Sequence, residues 1–167
     1  MSDLFPVLRV LGVLLCMFAL AMGLPLAVSL GHDDGVWQAY PLAMLVALGA
    51  GASLSWGLRR YKRELQPRHG VILVTLVWVL LPLCAALPLW LALQWVGRPV
   101  TFTHAYFEAV SGLTTTGSTV LSGVDALPLS VNVWRTFLQW LGGMGILILA
   151  VAVLPLLGVG GSQLFKA

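Results

Sequence analysis

Between two long apolar runs, this chain carries a helix-like stretch too short to cross a membrane. Residues 103–113 (THAYFEAVSGL) cover about eleven residues, or roughly 16 Å at 1.5 Å per residue. A bilayer crossing needs about 20 predominantly apolar residues. The stretch runs into Thr114-Thr115-Thr116-Gly117-Ser118-Thr119, a polar sequence with no helical periodicity. Irregular backbone at membrane depth persists only where it is buried in protein or lines a wet cavity. The pattern therefore predicts a re-entrant loop: a half-helix that enters the bilayer, and a threonine–glycine tip that turns back.

The surrounding sequence supplies the membrane. Of the 167 residues 59% are hydrophobic and only 9% charged, against about 25% charged in soluble domains. Four spans are expected, at residues 7–30, 36–58, 71–96 and 131–158. Trp37, Tyr40, Trp56, Trp95 and Trp134 stand near span ends, where amphipathic rings favour the interface. Arg59, Arg60, Lys62, Arg63 and Arg68 put five of the nine basic residues in one short loop. The positive-inside rule places that loop in the cytoplasm, and with it both termini; topology accounts for these charges without a nucleic-acid partner. The turn at Asp33-Asp34 then lies outside. The expected fold is an all-α integral membrane protein: four transmembrane helices plus one pore half-helix with its loop. Its parts are a leading two-helix hairpin (1–58), a basic cytoplasmic loop (59–70), a helix–pore loop–helix repeat (71–158) and a cytoplasmic tail (159–167).

Several residues carry local expectations. Pro82 and Pro88 lie inside the third span and should kink it. Thr103 is expected to cap the half-helix. Gly49, Ser53 and Gly57 give the second span one smooth face, suited to close helix contact. Gly142, Gly143 and Gly145 cluster in the fourth span. Glycine weakens a helix by about 1 kcal/mol relative to alanine, so the cluster implies a close neighbour, most simply the half-helix. Glu108, midway along that half-helix, has two open roles: attracting cations, or accepting backbone N–H groups behind the loop. Arg135 can pair with Glu108 or Asp125. Asp33, Asp34 and Asp125 read as solvated loop charges or weak cation concentrators. Cys16 and Cys84 sit in apolar runs, and His32, His69 and His104 lack ligand spacing.

Two longer motifs carry a resemblance. Phe107-Glu108-Ala109-Val110-Ser111-Gly112-Leu113-Thr114-Thr115-Thr116-Gly117 resembles the first pore loop of bacterial Trk-type potassium uptake proteins, the TrkH group of the TrkH/KtrB superfamily. Trp134-Arg135-Thr136-Phe137-Leu138-Gln139-Trp140-Leu141-Gly142-Gly143-Met144-Gly145 resembles the helix that follows it, and the two leading spans resemble the extra pair these proteins carry. The resemblance covers essentially the whole chain. It implies potassium uptake across the bacterial inner membrane through a carbonyl-lined selectivity filter. It also implies a homodimer and a cytoplasmic nucleotide-binding regulatory subunit of the TrkA type. Such proteins resemble four channel subunits fused in one chain. Only the first repeat is present here, so the expectation is that remaining repeats or further copies close the pore. The alternative is a non-transporting structural fragment in the lipid.

The filter chemistry follows from the residues. Carbonyl rings replace the hydration shell of a potassium ion, and glycine takes the positive φ that turns a peptide inward. Aligned on its glycine, Thr115-Thr116-Gly117 corresponds to the first three residues of the channel filter Thr-Val-Gly-Tyr-Gly. The expected ion ligands are the carbonyls of Thr115, Thr116, Gly117 and Ser118, with Thr114, Glu108 and Gly112 as support. Ser118 and Thr119 replace the tyrosine and second glycine, which implies a looser outer half and weaker discrimination against sodium. Potassium is cargo here, and no cofactor is expected. Ser111 and His104, seven residues apart on a helix, are too distant for a catalytic hydrogen bond, and there is no Gly-x-Ser-x-Gly motif; an enzyme is not expected. The topology is tested by labelling: a cysteine at Asp34 should react from outside and one at Glu64 only from inside, and the reverse pattern overturns it.

Overall fold

The protein is described here from a computed structural model covering residues 4–60 and 67–153, with side chains described except at 67, 68 and 148–153. Regular structure among the described residues is helical throughout: α1 Phe5–Ala21, α2 Gly23–His32, α3 Ala39–Gly57, α4 Pro67–Trp95, α5 Phe102–Leu113 and α6 Leu129–Val153, with a short 3₁₀ turn at Val124–Ala126. Three stretches, Phe5–His32, Ala39–Gly57 and His69–Trp95, are long and apolar enough to cross a membrane. The expected fourth span corresponds to α6. Residues 61–66 of the basic loop, the end of the fourth span and the tail at 159–167 lie outside the described residues.

The first span is interrupted just before Pro25. Pro25 has no N–H to offer the carbonyl of Ala21 four residues earlier. α1 ends at Ala21, and Met22 caps both α1 and α2. In α4 the helix runs on through Pro82 and Pro88.

Hydrocarbon is as apolar as leucine, so helices in lipid associate through close packing and hydrogen bonds rather than through burial from water. The leading hairpin shows the first device. α1 packs on α3 at Gly12 and Gly51, where a Cβ on either would lie 2.6 Å from the other's carbonyl oxygen. The stripe expected to make this contact is elsewhere: Gly49, Ser53 and Gly57 are exposed, with nothing within 4 Å of either glycine's missing Cβ. Spacing identified a smooth face, but α3 has a second small-residue edge, and α1 packs there because it supplies the matching Gly12.

Trp134 of α6 joins the hairpin to the rest. Its side chain is fully buried, its ring lies against Phe18 of α1 with centroids 5.7 Å apart, and its indole N–H donates to the Ala85 carbonyl of α4 at 3.1 Å. Asp34 makes a second long-range tie. Its carboxylate accepts the Ser130 amide at 3.0 Å, from a residue 96 positions away, along with the Ser29 hydroxyl and the Val36 amide. Asp34 is therefore not a freely solvated loop charge. It sits at the N-terminus of α6, where unpaired amides and the helix dipole favour an anion.

Burial works against the charged form of Asp34, but the donors from Ser130, Ser29 and Val36 outweigh it and hold the carboxyl below its ordinary range. A depressed carboxylate stabilises the fold above its unfolded pKa, and that contribution is lost as pH falls through the folded value. Thermal melts of detergent-solubilised protein should thus fall as pH drops below about 4. Asp34→Ala should cost about 1 kcal/mol at neutral pH and flatten this acid limb; an unchanged limb excludes the cap.

Candidate functional site

The half-helix α5 is capped by Thr101, whose hydroxyl accepts the His104 amide at 3.3 Å. This corrects the expected cap at Thr103. Thr101 is extended, with ψ at 155°, as a capping residue must be, whereas Thr103 already lies inside the helix. α5 packs between α4 and α6, and both of those helices are adapted to receive it. In α4 the Val79 carbonyl accepts the Tyr106 hydroxyl at 3.3 Å. Val79 and Ala85 each adjoin the carbonyl, of Trp78 and of Cys84, that a helical proline four residues on leaves without an N–H donor. The Val79 carbonyl ties to α5 and the Ala85 carbonyl to Trp134. In α6, Gly142 lies against the end of the half-helix: a Cβ there would overlap the Leu113 carbonyl. Gly112 closes the same contact from the other side, its missing Cβ 3.0 Å from Leu138 Cβ. The close neighbour expected for the glycine cluster is thus found at Gly142. Gly143 has only the Thr115 methyl at 3.8 Å, and Gly145 borders an apolar cavity of about 80 Å³ with Trp78, Leu81 and Leu113.

After Leu113 the chain reverses. The amides of the tip all turn back to the last turn of α5. Thr114 donates to Val110 (2.8 Å), Thr115 to Gly112 (2.9 Å), and Thr116 and Gly117 both to the Ser111 carbonyl (2.9 and 3.4 Å). Thr115 has φ +57° and Gly117 φ +74°, while Thr116 and Ser118 keep negative φ. Alternating sign along a chain turns successive carbonyls toward one side, in contrast to the alternation of a strand. A positive φ at a threonine is strained and marks a backbone held by its surroundings. Among the described residues, no carbonyl of Thr114, Thr115, Thr116 or Gly117 accepts a hydrogen bond. Ser118 differs: its carbonyl accepts the Ser111 hydroxyl at 2.6 Å. Thr114 Oγ1 lies 2.8 Å from both the Val110 carbonyl and Thr116 Oγ1. Residues 114–120 are exposed in this chain.

Glu108 stands behind the returning segment. One carboxylate oxygen accepts the Thr119 hydroxyl and the Val120 amide, both at 2.7 Å. The other accepts Arg135 Nε at 2.9 Å, and Arg135 Nη2 pairs with it at the same distance. The Glu108 side chain is 2% exposed and that of Arg135 15%, so the pair is shielded from solvent. Of the two partners open to Arg135 the structure selects Glu108, and Asp125 is exposed. Of the two roles open to Glu108, it fills that of buried acceptor. Farther out, Asn132 holds the Val124 carbonyl at 2.9 Å, and Arg98 holds those of Ser122 and Gly123 at 3.1 Å each.

The residue that sequence reading missed is Ser111, weighed only beside His104. Its signal was position: three residues after Glu108, it shares that helix face, and the face meets the loop.

This chain matches the family model described as TrkH, cation transport protein, over residues 38–167. It is 47% identical over 160 residues to the Trk system potassium uptake protein TrkH of Halomonas elongata, covering 96% of this chain and 33% of that protein. The corresponding Escherichia coli K12 protein is 45% identical over 159 residues, with 95% and 32% covered. Among solved structures, the potassium transporter TrkH from Vibrio parahaemolyticus superposes with a TM-score of 0.85 at 41% identity, covering 95% of this chain and 33% of that one. The chain thus spans about a third of the length of the relatives it matches.

The carboxylate–guanidinium pair has a measurable consequence. Glu108→Ala strands a shielded guanidinium and releases the Thr119 and Val120 donors, so it should destabilise the protein by about 3–5 kcal/mol. Adding Arg135→Met should recover part of that loss. Denaturation of the single and double variants checks this, and an additive double variant overturns the pairing.

Proposed function

Since the chain belongs to the TrkH family of cation transport proteins, we propose that it forms one wall of a potassium path across the bacterial inner membrane, with the carbonyls of Thr115, Thr116 and Gly117 as ion ligands. The observation that carries this reading is the division of the tip backbone: its amides are tied to α5 and its carbonyls are left without internal partners. An oxygen row so presented suits a cation shedding water and offers nothing to an anion. Ser118 lies at the outer end of the row with its carbonyl already held by Ser111. Thr114 and Gly112 support the row from below, and Glu108 supports it from behind.

A single wall does not make a ring. The remaining repeats of a longer protein, or further copies of this one, complete the oxygen cage. Membrane lipid surrounds the helices, both termini face the cytoplasm, and a homodimer with a TrkA-type nucleotide-binding regulatory subunit is the assembly the family suggests. The electrical gradient is sufficient to drive uptake. At about 2.3 kcal/mol per charge per 100 mV, roughly 150 mV supplies about 3.5 kcal/mol, enough for a several-hundred-fold potassium ratio. The family is one of transport proteins, and neither the sequence nor the described site offers a catalytic pairing.

The test grafts residues 1–167 onto the Vibrio parahaemolyticus transporter in place of its matching third, in cells that lack other potassium uptake. Gly117→Asp in that graft should abolish growth on limiting potassium while the protein still reaches the membrane. Normal growth refutes the filter assignment.

A further inference from the structure

Ser111 bonds to the tip twice. Its backbone carbonyl collects the amides of Thr116 and Gly117, and its hydroxyl, on a side chain buried in the half-helix, donates to the carbonyl of Ser118 at 2.6 Å. One turn earlier on the same face, Glu108 holds Thr119 and Val120. From Ser118 to Val120 the loop is fastened to α5 by the side chains of Ser111 and Glu108, whereas from Thr115 to Gly117 it is tied by its amides alone and, among the described residues, its carbonyls are unheld. The boundary between the two regimes is a single side-chain hydrogen bond.

We infer that the Ser111 hydroxyl is a specificity-determining group: by drawing the Ser118 carbonyl back against the half-helix, it ends the ion-facing row of oxygens at Gly117 and fixes the path's dimensions there. This deepens, and rests on, the filter reading above. A peptide carbonyl deprived of its donor is driven toward another donor, a water or a cation. Without the hydroxyl, the Ser118 peptide is free to rotate and add a mobile oxygen above Gly117. Discrimination between potassium and sodium depends on the number, field and rigidity of the coordinating oxygens. A mobile extra oxygen adapts to the smaller ion as readily as to the larger, so selectivity falls. Ser111 touches no ion in this scheme; it acts through the Ser118 carbonyl as a positioning residue.

Ser111→Ala removes only the hydroxyl and leaves the backbone carbonyl that holds Thr116 and Gly117. In the grafted transporter, reconstituted in liposomes, the potassium-to-sodium flux ratio should fall about fivefold, the equivalent of one net hydrogen bond. Total potassium flux should change less than the ratio. Ser111→Thr, which keeps the hydroxyl, should restore the ratio; if that variant does not reach the membrane, the Ser111→Ala ratio decides alone. A lower flux or melting temperature with an unchanged ratio means a scaffold role and overturns the inference. The Gly117→Asp graft separates the two ideas. If it is inactive while Ser111→Ala keeps the wild-type ratio, only the role of Ser111 fails. If it transports normally, the filter reading fails and this inference fails with it.

Discussion

A buried carboxylate holds this repeat together. Glu108 accepts three hydrogen bonds, two from the returning loop and one from Arg135 Nε on α6, whose Nη2 completes the ion pair. Three segments, the half-helix, the loop and α6, meet on one side chain. An isolated charge in such a place is costly, and a shielded pair repays its desolvation only when the geometry is good and the remaining lone pairs are used. Both conditions are met here. The consequence is positional: the half-helix, the outgoing loop and the following helix cannot move independently, so the tip between them inherits a fixed frame.

Within that frame the tip is organised by polarity rather than by side-chain identity. Its amides are consumed by the last turn of α5, a turn whose carbonyls need donors in any case. The half-helix is satisfied at its C-terminus by the very segment that then presents free oxygens outward. Gly142 lets the fourth helix approach the end of the half-helix, and α4 offers the carbonyls of Val79 and Ala85 to Tyr106 and Trp134. In lipid, contact depends on close approach and hydrogen bonding, so a glycine that weakens a helix in isolation is here a point where helices join.

Much of the site was legible in the linear sequence. The shortness of the run before Thr114, the apolar spans on either side and the lone glycine in a threonine stretch are all local properties. So is the need for a close neighbour at Gly142. What the sequence left open or misplaced were pairings. Arg135 had two carboxylates to choose from; the expected cap fell on Thr103 where the structure uses Thr101, and the expected small face on Gly49, Ser53 and Gly57 where the structure uses Gly51. Thr101 is selected by its own extended backbone, whereas Arg135 and Gly51 are selected by partners far along the chain, and Asp34 meeting Ser130 is the extreme case.

Composition and spacing by themselves determined that this chain is a membrane protein of long apolar helices with one helix too short to cross, because hydrocarbon thickness and backbone hydrogen bonding act on every stretch in turn. Tertiary structure alone decided which polar atoms face each other: that Ser111 holds Ser118, that Glu108 holds both the loop and Arg135, and that among the described residues the carbonyl oxygens of residues 114–117 are left unclaimed. Those outcomes depend on hydrogen-bond distances of about 3 Å between residues on separate turns and separate helices, and periodicity places a side chain on a face without saying what stands opposite.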